Sequence, residues 1–199
     1  WIPGSSPRMT MNGISETQPL DFYSPYGCSK GTADQYFHDY YRSFGLKTIV
    51  FRQSCIYGPH QYGMEDQGWL AHFALQFAQK KPITIYGTGN QVRDILYVND
   101  LTTAYLTAID KIDLTKGEIF NCGGGPKNAV TLTQALSLLS DEFGYKVPVE
   151  FSKKRLGDQE YFVSDNSKLK RVLNWEPKTD YRKGIKKLVE WILSQQSVR

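Results

Sequence analysis

The chain has 199 residues, and its 40% hydrophobic and 14% aromatic content is enough for one sizeable domain or two small ones. Its net charge of +4 is spread along the sequence, but Lys and Arg are more frequent between 153 and 187. Such a bias is typical of a solvated face and also suits an anionic ligand. It contains neither a run of about 18 apolar residues nor a charged-then-apolar leader. We therefore expect a cytoplasmic protein that binds neither membranes nor nucleic acid.

The cysteines of the chain do not predict a metal site. Cys28, Cys55 and Cys122 are far apart, and their odd number leaves at least one unpaired. We expect reduced thiols and no bound metal.

The first half of the sequence predicts an irregular lead-in, a helix and a strand. Residues 1–25 are rich in Pro, Ser and Gly and show no periodicity. From Ser29 to a C-terminal cap at Gly45, apolar side chains at helical spacing predict a helix with one buried face, formed by Ala33, Tyr36, Phe37, Tyr40, Tyr41 and Phe44. The β-branched run 47–52 predicts a buried strand.

Strands and helices continue to alternate in the second half. Asn99 or Asp100 can cap a helix over 99–111, and the capping box of Thr131 and Gln134 predicts a helix over 132–143. The other predicted elements are helices near 70–78, 168–173 and 181–195, and strands at 83–87, 94–98, 118–122 and 147–151. This alternation predicts an α/β fold with a mostly parallel sheet and a smaller mixed region packed on it.

Tyr26 and Lys30 form the first candidate constellation, in the stretch SPYGCSKG. Residues four apart on a helix project from one side, so both can face one cleft. There the ammonium group would favour the phenolate, which can accept a proton from a substrate hydroxyl. The pattern alone is more typical of an ordinary helix start with a solvent-facing lysine.

Arg93 is the centre of the second constellation. Gly87 and Gly89 allow a tight turn, after which Arg93 begins a strand. A guanidinium in this position suits a diphosphate because its planar donors can bond two oxygens at once. An ion pair of Arg93 with Asp94 or Asp100 is an equally good interpretation.

The third constellation is the turn that contains Arg155, Gly157 and Asp158. The Arg155 guanidinium can bond a phosphate, and the Asp158 carboxylate can accept a hydrogen bond from a ribose hydroxyl. A plain surface turn is nevertheless the commoner explanation. The glycines 123–125 lack the spacing of a phosphate loop and are predicted to be turn residues at a strand end.

In order and separation, these segments resemble the extended short-chain dehydrogenase/reductase family of nucleotide-sugar epimerases and dehydratases. The resemblance runs from about Asn12 to the C-terminus and rests on five segments: SPYGCSKGTADQYFHDYYRSFGLKTIVFRQSCIYGP, DQGWLAHF, PITIYGTGNQVRDILYVNDLTTAYL, FNCGGGP and RLGDQEYFVSDNSKLKRVLNWEP. It implies a Rossmann-like fold of which residues 1–56 are the last helix and strand region. Residues 57–199 are then mainly the nucleotide-sugar-binding region, with some Rossmann elements around 92–123.

The resemblance also implies a role for each candidate residue. Tyr26 would be the catalytic base, and Lys30 would hold the nicotinamide ribose of NAD and tune Tyr26. The remaining cofactor residues would be Phe51, Arg52 and Gln53. Arg93 and Arg155 would bind the diphosphate, and Asp158 would accept a hydrogen bond from a ribose hydroxyl. The other substrate contacts would come from Ser54, Cys55, Gln67, Trp69 and Ile85.

The implied reaction oxidises one sugar carbon transiently, with return of the hydride to the opposite face. The favoured substrate is a CDP-linked sugar epimerised at C2. A 4,6-dehydratase of dTDP-sugars, a 4-epimerase of UDP-sugars and a non-catalytic nucleotide-sugar-binding module are the alternatives.

The chain lacks three features of the family, namely the glycine-rich pyrophosphate loop, the acidic residue for the adenosine ribose and the Ser or Thr partner of the catalytic Tyr. We therefore expect a fragment that binds NAD poorly and is inactive alone. The helix with Tyr36, Tyr40 and Phe44 would provide either a homodimer surface or a face buried within the chain.

Overall fold

The computed structural model describes residues 13–196, so the first twelve residues of the predicted lead-in lie outside it. In chain order the helices and strands are α1 (Pro25–Phe44), β1 (Val50–Gln53), β2 (Cys55–Tyr57), α2 (Trp69–Ala78), β3 (Ile83–Tyr86), β4 (Val92–Tyr97), α3 (Val98–Asp110), α4 (Ile112–Thr115), β5 (Ile119–Cys122), β6 (Ala129–Thr131), α5 (Leu132–Phe143), β7 (Val149–Ser152), β8 (Tyr161–Phe162), α6 (Ser167–Leu173) and α7 (Tyr181–Gln196). The alternation of strands and helices confirms the α/β prediction.

The strands pair mainly in parallel. Strand β1 is parallel to β5, and β3 is parallel to β7. Strand β4 is central to a third group, in which its second half is parallel to β2 and its first half lies between antiparallel β6 and parallel β8. The lead-in also joins this region, because Ile14 bridges to Ser164. Apart from this bridge, residues 13–24 contain turns and bends but no helix or strand, as predicted for an irregular lead-in.

Local signals set the ends of the predicted helices. Ser24 Oγ accepts a hydrogen bond from the Gly27 N–H at 3.0 Å at the start of α1, and Gly45 ends it in the left-handed region with φ of 68°. Helix α5 has the predicted capping box, in which the side chains of Thr131 and Gln134 each accept from the other's backbone N–H.

The predicted buried face of α1 is wrong. Tyr36 is 62% exposed and Phe44 73% exposed, and the buried residues of α1 are Gly31 and Asp34. The ring of Phe22 lies against Gly31, so the helix packs along a different side from the aromatic one. Apolar spacing predicts a helix correctly, but it does not say which element covers the apolar side.

The predicted cap of α3 is wrong as well. Helix α3 begins directly after β4, with Tyr97 at the cap position and no side-chain cap bond. The carboxylate of Asp100 instead accepts from the backbone N–H of Thr179 at 2.9 Å. The Asp100 side chain thus bonds a segment that is distant in sequence instead of capping its own helix.

Two hydrophobic clusters form the core. The larger contains residues of α2, α5, α7 and the strands β3 and β4, and the smaller contains residues of α3, β5 and α6. Within residues 13–196, no helix combines the length and hydropathy needed to cross a bilayer.

Candidate functional site

Tyr26 and Lys30 lie together on the open side of the first turns of α1. The Lys30 ammonium is 5.5 Å from the centroid of the Tyr26 ring, and Tyr26 is 56% exposed. Helical spacing places the two groups side by side, and exposure leaves both available to a ligand. A cation beside an accessible phenol is an arrangement suited to taking a proton from a hydroxyl.

Asp34, which lies four residues beyond Lys30 on α1, anchors this helix to β1. Its carboxylate accepts from Arg52 Nε at 2.7 Å and from Arg52 Nη2 at 3.0 Å, and the two side chains are only 1% and 10% exposed. Arg52 Nη1 also donates to the backbone oxygen of Glu16 at 3.1 Å. The guanidinium predicted to face the cofactor is therefore engaged inside the protein.

The neighbours of Arg52 on β1 pack toward α3. The Phe51 ring lies 4.9 Å from the ring of Tyr105, centroid to centroid, and the Gln53 amide donates a hydrogen bond to the Tyr105 hydroxyl. All three predicted cofactor residues of β1 thus have partners within the chain.

Cys55 and Trp69, both predicted substrate residues, contact each other. The Trp69 indole N–H donates to Cys55 Sγ at 3.3 Å, and burial raises the pKa of the Cys55 thiol. Gln67 is exposed, whereas Ile85 is buried in the larger core cluster. A contact between Ile85 and a nucleoside would therefore have to use its backbone.

Asp94 is a buried acid that sequence inspection considered only as a partner for Arg93. Its Oδ2 accepts from the backbone N–H groups of Gly125 at 2.9 Å and Ser164 at 3.1 Å. Burial raises the pKa of Asp94 to about 6 despite these hydrogen bonds. Nearby, Ser54 Oγ is buried without a hydrogen-bond partner among the described residues. One signal was visible, since Asp94 precedes the apolar run of a predicted strand.

Arg93 pairs with Asp158, not with Asp94 or Asp100. Arg93 Nη2 lies 2.7 Å from Asp158 Oδ1 and donates to the Gln159 carbonyl at 2.5 Å. Gln91, which we did not predict, donates to the other Asp158 oxygen at 3.1 Å. The structure therefore brings two predicted ligand-binding residues into one half-buried ion pair.

Arg155 stacks on a residue that sequence reasoning also missed. Its guanidinium carbon lies 3.9 Å from the ring centroid of Tyr86. The alternation of β3 gave a signal for this, because Ile83 and Ile85 point into the core and Tyr86 points away from it. Stacking on an aromatic ring orients a guanidinium and leaves its edge free to bond oxygens.

The Arg155–Asp158 turn lies against the segment that leads into α1. A Cβ atom on Gly157 would lie 3.1 Å from Cβ of Tyr23, three residues before Tyr26. The first and third sequence constellations are therefore neighbours, although more than a hundred residues separate them.

No group of three His, Cys, Asp or Glu side chains in the described part of the chain is placed to hold a metal ion. The candidate site consists of an exposed phenol and ammonium, two arginines and a carboxylate.

The parallel strand pairs and the helices between them form a Rossmann-like α/β fold, which solved structures share. A UDP-glucose 4-epimerase from Thermotoga maritima, solved with UDP-glucose, shares the fold at a TM-score of 0.83 and 32% identity, over 96% of this chain and 59% of that one. A UDP-glucose 4-epimerase from Thermus thermophilus, solved with NAD, matches at a TM-score of 0.84 and 29% identity, over 96% and 60%.

The chain belongs to the NAD dependent epimerase/dehydratase family, whose model matches residues 3–123. It is 40% identical over 188 residues to the CDP-paratose 2-epimerase of Salmonella typhi, a match that covers 92% of this chain and 56% of that protein. The chain therefore spans little more than half the length of this relative. These matches confirm the predicted family, the Rossmann-like fold and NAD as the cofactor of the family.

The residues of the site fit one part of NAD. The exposed Tyr26 hydroxyl and Lys30 ammonium can bond ribose hydroxyls, whereas the Arg52 guanidinium is already held by Asp34. A ribose is thus the part of the cofactor whose hydroxyls Tyr26 and Lys30 suit.

Proposed function

We propose that this chain is part of an NAD-dependent nucleotide-sugar epimerase of the CDP-paratose 2-epimerase type. The observation that carries the proposal is the contact between Gly157 and Tyr23, which brings the Arg155–Asp158 turn to the helix that bears Tyr26 and Lys30. A diphosphate held at that turn would place the attached sugar near the exposed phenol.

In this proposal each group has a distinct task. Lys30 holds the ribose and favours the phenolate of Tyr26, which removes the proton of a sugar hydroxyl and later returns it. Bound NAD supplies the transient oxidation of that carbon and the return of a hydride to its opposite face. Arg93 and Arg155 bind the diphosphate, and Asp158 accepts from a ribose hydroxyl.

The CDP-sugar and the C2 position rest on the 40% identity to the Salmonella typhi enzyme. A 4-epimerase of UDP-sugars or a dehydratase remains the alternative within the family. Calorimetric titration with CDP, UDP and dTDP sugars distinguishes them, because tighter binding of the UDP or dTDP ligand would contradict the CDP assignment.

A non-catalytic nucleotide-sugar-binding module is a second candidate. The observation in its favour is that Arg93, Arg155 and Asp158 all lie in this chain, where Arg93 pairs with Asp158 and Arg155 stacks on Tyr86. In that case even the protein extended to the length of its relatives would bind a CDP-sugar but neither retain NAD nor convert the sugar.

The decisive test compares Tyr26→Phe with wild type in the protein extended to the length of its relatives. We expect the variant to lose epimerisation while it still binds CDP, because Phe lacks the proton-accepting oxygen. The chain of 199 residues is expected to purify without NAD and to be inactive. Epimerisation by Tyr26→Phe at the wild-type rate would refute the role of Tyr26.

We further propose that the aromatic side of α1 is covered by a second copy of the protein. Tyr36, Tyr40 and Phe44 are all exposed, and Tyr40 and Phe44 pack on each other with ring centroids 5.2 Å apart. Light scattering of wild type and Tyr40→Ser/Phe44→Ser tests this, and a monomeric wild-type protein would contradict it.

A further inference from the structure

A short acidic turn faces Arg155 from the segment between β2 and α2. Met64 and Gln67 exchange two backbone hydrogen bonds, of 2.8 Å and 3.0 Å, and so close a turn with Glu65 and Asp66 at its tip. We call residues 64–67 the acidic turn. Because these hydrogen bonds fix the backbone of the turn, Glu65 and Asp66 are held next to each other at its tip.

Both carboxylates of the acidic turn bond the guanidinium of Arg155. Glu65 Oε1 lies 3.3 Å from Nη2, and Asp66 Oδ1 lies 3.0 Å from Nη1. The Tyr86 hydroxyl donates to the same Glu65 oxygen, while the Tyr86 ring stacks on the guanidinium. The pKa of the Glu65 carboxyl is lowered, chiefly by the hydrogen bond from Tyr86. Both terminal nitrogens of Arg155 are thus paired with carboxylate oxygens.

The base of the acidic turn is packed tightly against α2. A Cβ atom on Gly63 would lie 2.4 Å from the Gly68 carbonyl oxygen and 2.5 Å from the His72 nitrogen. The Gln61 amide also donates to the Ile56 carbonyl at 3.1 Å. The position of the tip is therefore set by the fold, whereas its two side chains are exposed and can rotate away.

We propose that the acidic turn is an intramolecular competitor for the diphosphate, in which Glu65 and Asp66 hold Arg155 until a diphosphate displaces them. This inference rests on the proposed role of Arg155 in diphosphate binding. Carboxylate and phosphate oxygens bond a guanidinium through the same pairs of N–H donors, so one must leave before the other binds. Exposed ion pairs are weak enough to be exchanged in this way.

The test is calorimetric titration of CDP into wild type and the Glu65→Gln/Asp66→Asn variant at low salt. The variant should bind CDP about three- to tenfold more tightly, as expected for the loss of two exposed competing ion pairs. Asp141→Asn/Glu142→Gln is the matched control, because it removes two adjacent exposed carboxylates from α5 and changes the net charge equally. Arg155→Ala reports whether Arg155 binds the ligand at all.

The outcomes separate this inference from the proposed function. Tighter binding by the Glu65→Gln/Asp66→Asn variant alone supports the competitor. Equal tightening in the control variant shows a general charge effect and overturns it. If Arg155→Ala weakens CDP binding but Glu65→Gln/Asp66→Asn leaves it unchanged, the competitor is refuted and the diphosphate role stands. If Arg155→Ala has no effect, both the diphosphate role and the competitor fail.

Discussion

Asp94→Asn should stabilise the protein at neutral pH although it changes a fully buried residue. The backbone N–H groups of Gly125 and Ser164 both donate to one oxygen of Asp94, Oδ2, and the other oxygen has no partner in the described region. The oxygen of an asparagine amide can accept from Gly125 and Ser164 in the same way. Its NH2 group would then replace the unpaired oxygen.

The size and sign of the effect follow from the pKa of Asp94. Burial raises this pKa from 3.8 to about 6, so the native state binds more protons than the unfolded state between these values. Wild-type stability therefore falls as pH rises through this window, by up to about 3 kcal/mol once the carboxylate is ionised. The variant has no titrating group at this position and escapes that loss.

Urea unfolding at a series of pH values from 4 to 8 measures the difference between variant and wild type. We expect the difference to grow in favour of Asp94→Asn and to level off above the pKa of about 6. Asp110→Asn, an exposed change on α3, is the control and should show no such trend. A difference that is constant with pH, or that grows in favour of wild type, would refute the reasoning.

Two further changes test the packing beneath the site. In urea unfolding, Asp34→Ala should lower the free energy of unfolding by about 3–5 kcal/mol, because it leaves Arg52 buried and unpaired. Asp34→Ala/Arg52→Met should recover part of this loss, and a loss in the single variant as small as that of an exposed pair would contradict the prediction. Gly123→Ala should cost about 1–3 kcal/mol, since its Cβ would lie 2.3 Å from Asp94 Oδ2 and 2.6 Å from Ser54 Oγ; an unchanged unfolding midpoint would show that the pocket has room.

Local signals predicted much of the secondary structure. The capping box at Thr131 and the cap at Gly45 are where the sequence indicated, because each depends on groups a few residues away. The predicted strand 47–52 begins only at Val50, and a separate strand follows at Cys55. Strand limits depend on the neighbouring strand, and β1 ends where its register with β5 ends.

The ion pairs of the candidate site could not be predicted. Arg93 bonds Asp158, 65 residues away, rather than an acid in its own turn, and Arg155 bonds Glu65, 90 residues away. A charged side chain can reach any partner that the fold brings within a few ångströms. Sequence distance therefore carries no information about which partner that is.

The sequence by itself determined the alternation of helices and strands, the side-by-side placement of Tyr26 and Lys30, and the five ordered segments that indicate the family. Tertiary structure decided that the aromatic side of α1 is exposed, that Arg52 forms an ion pair with Asp34, and that the Arg155–Asp158 turn packs against the segment leading into α1. Helical spacing and capping act over one or two turns of backbone, whereas burial and ion pairing arise only when distant segments pack together.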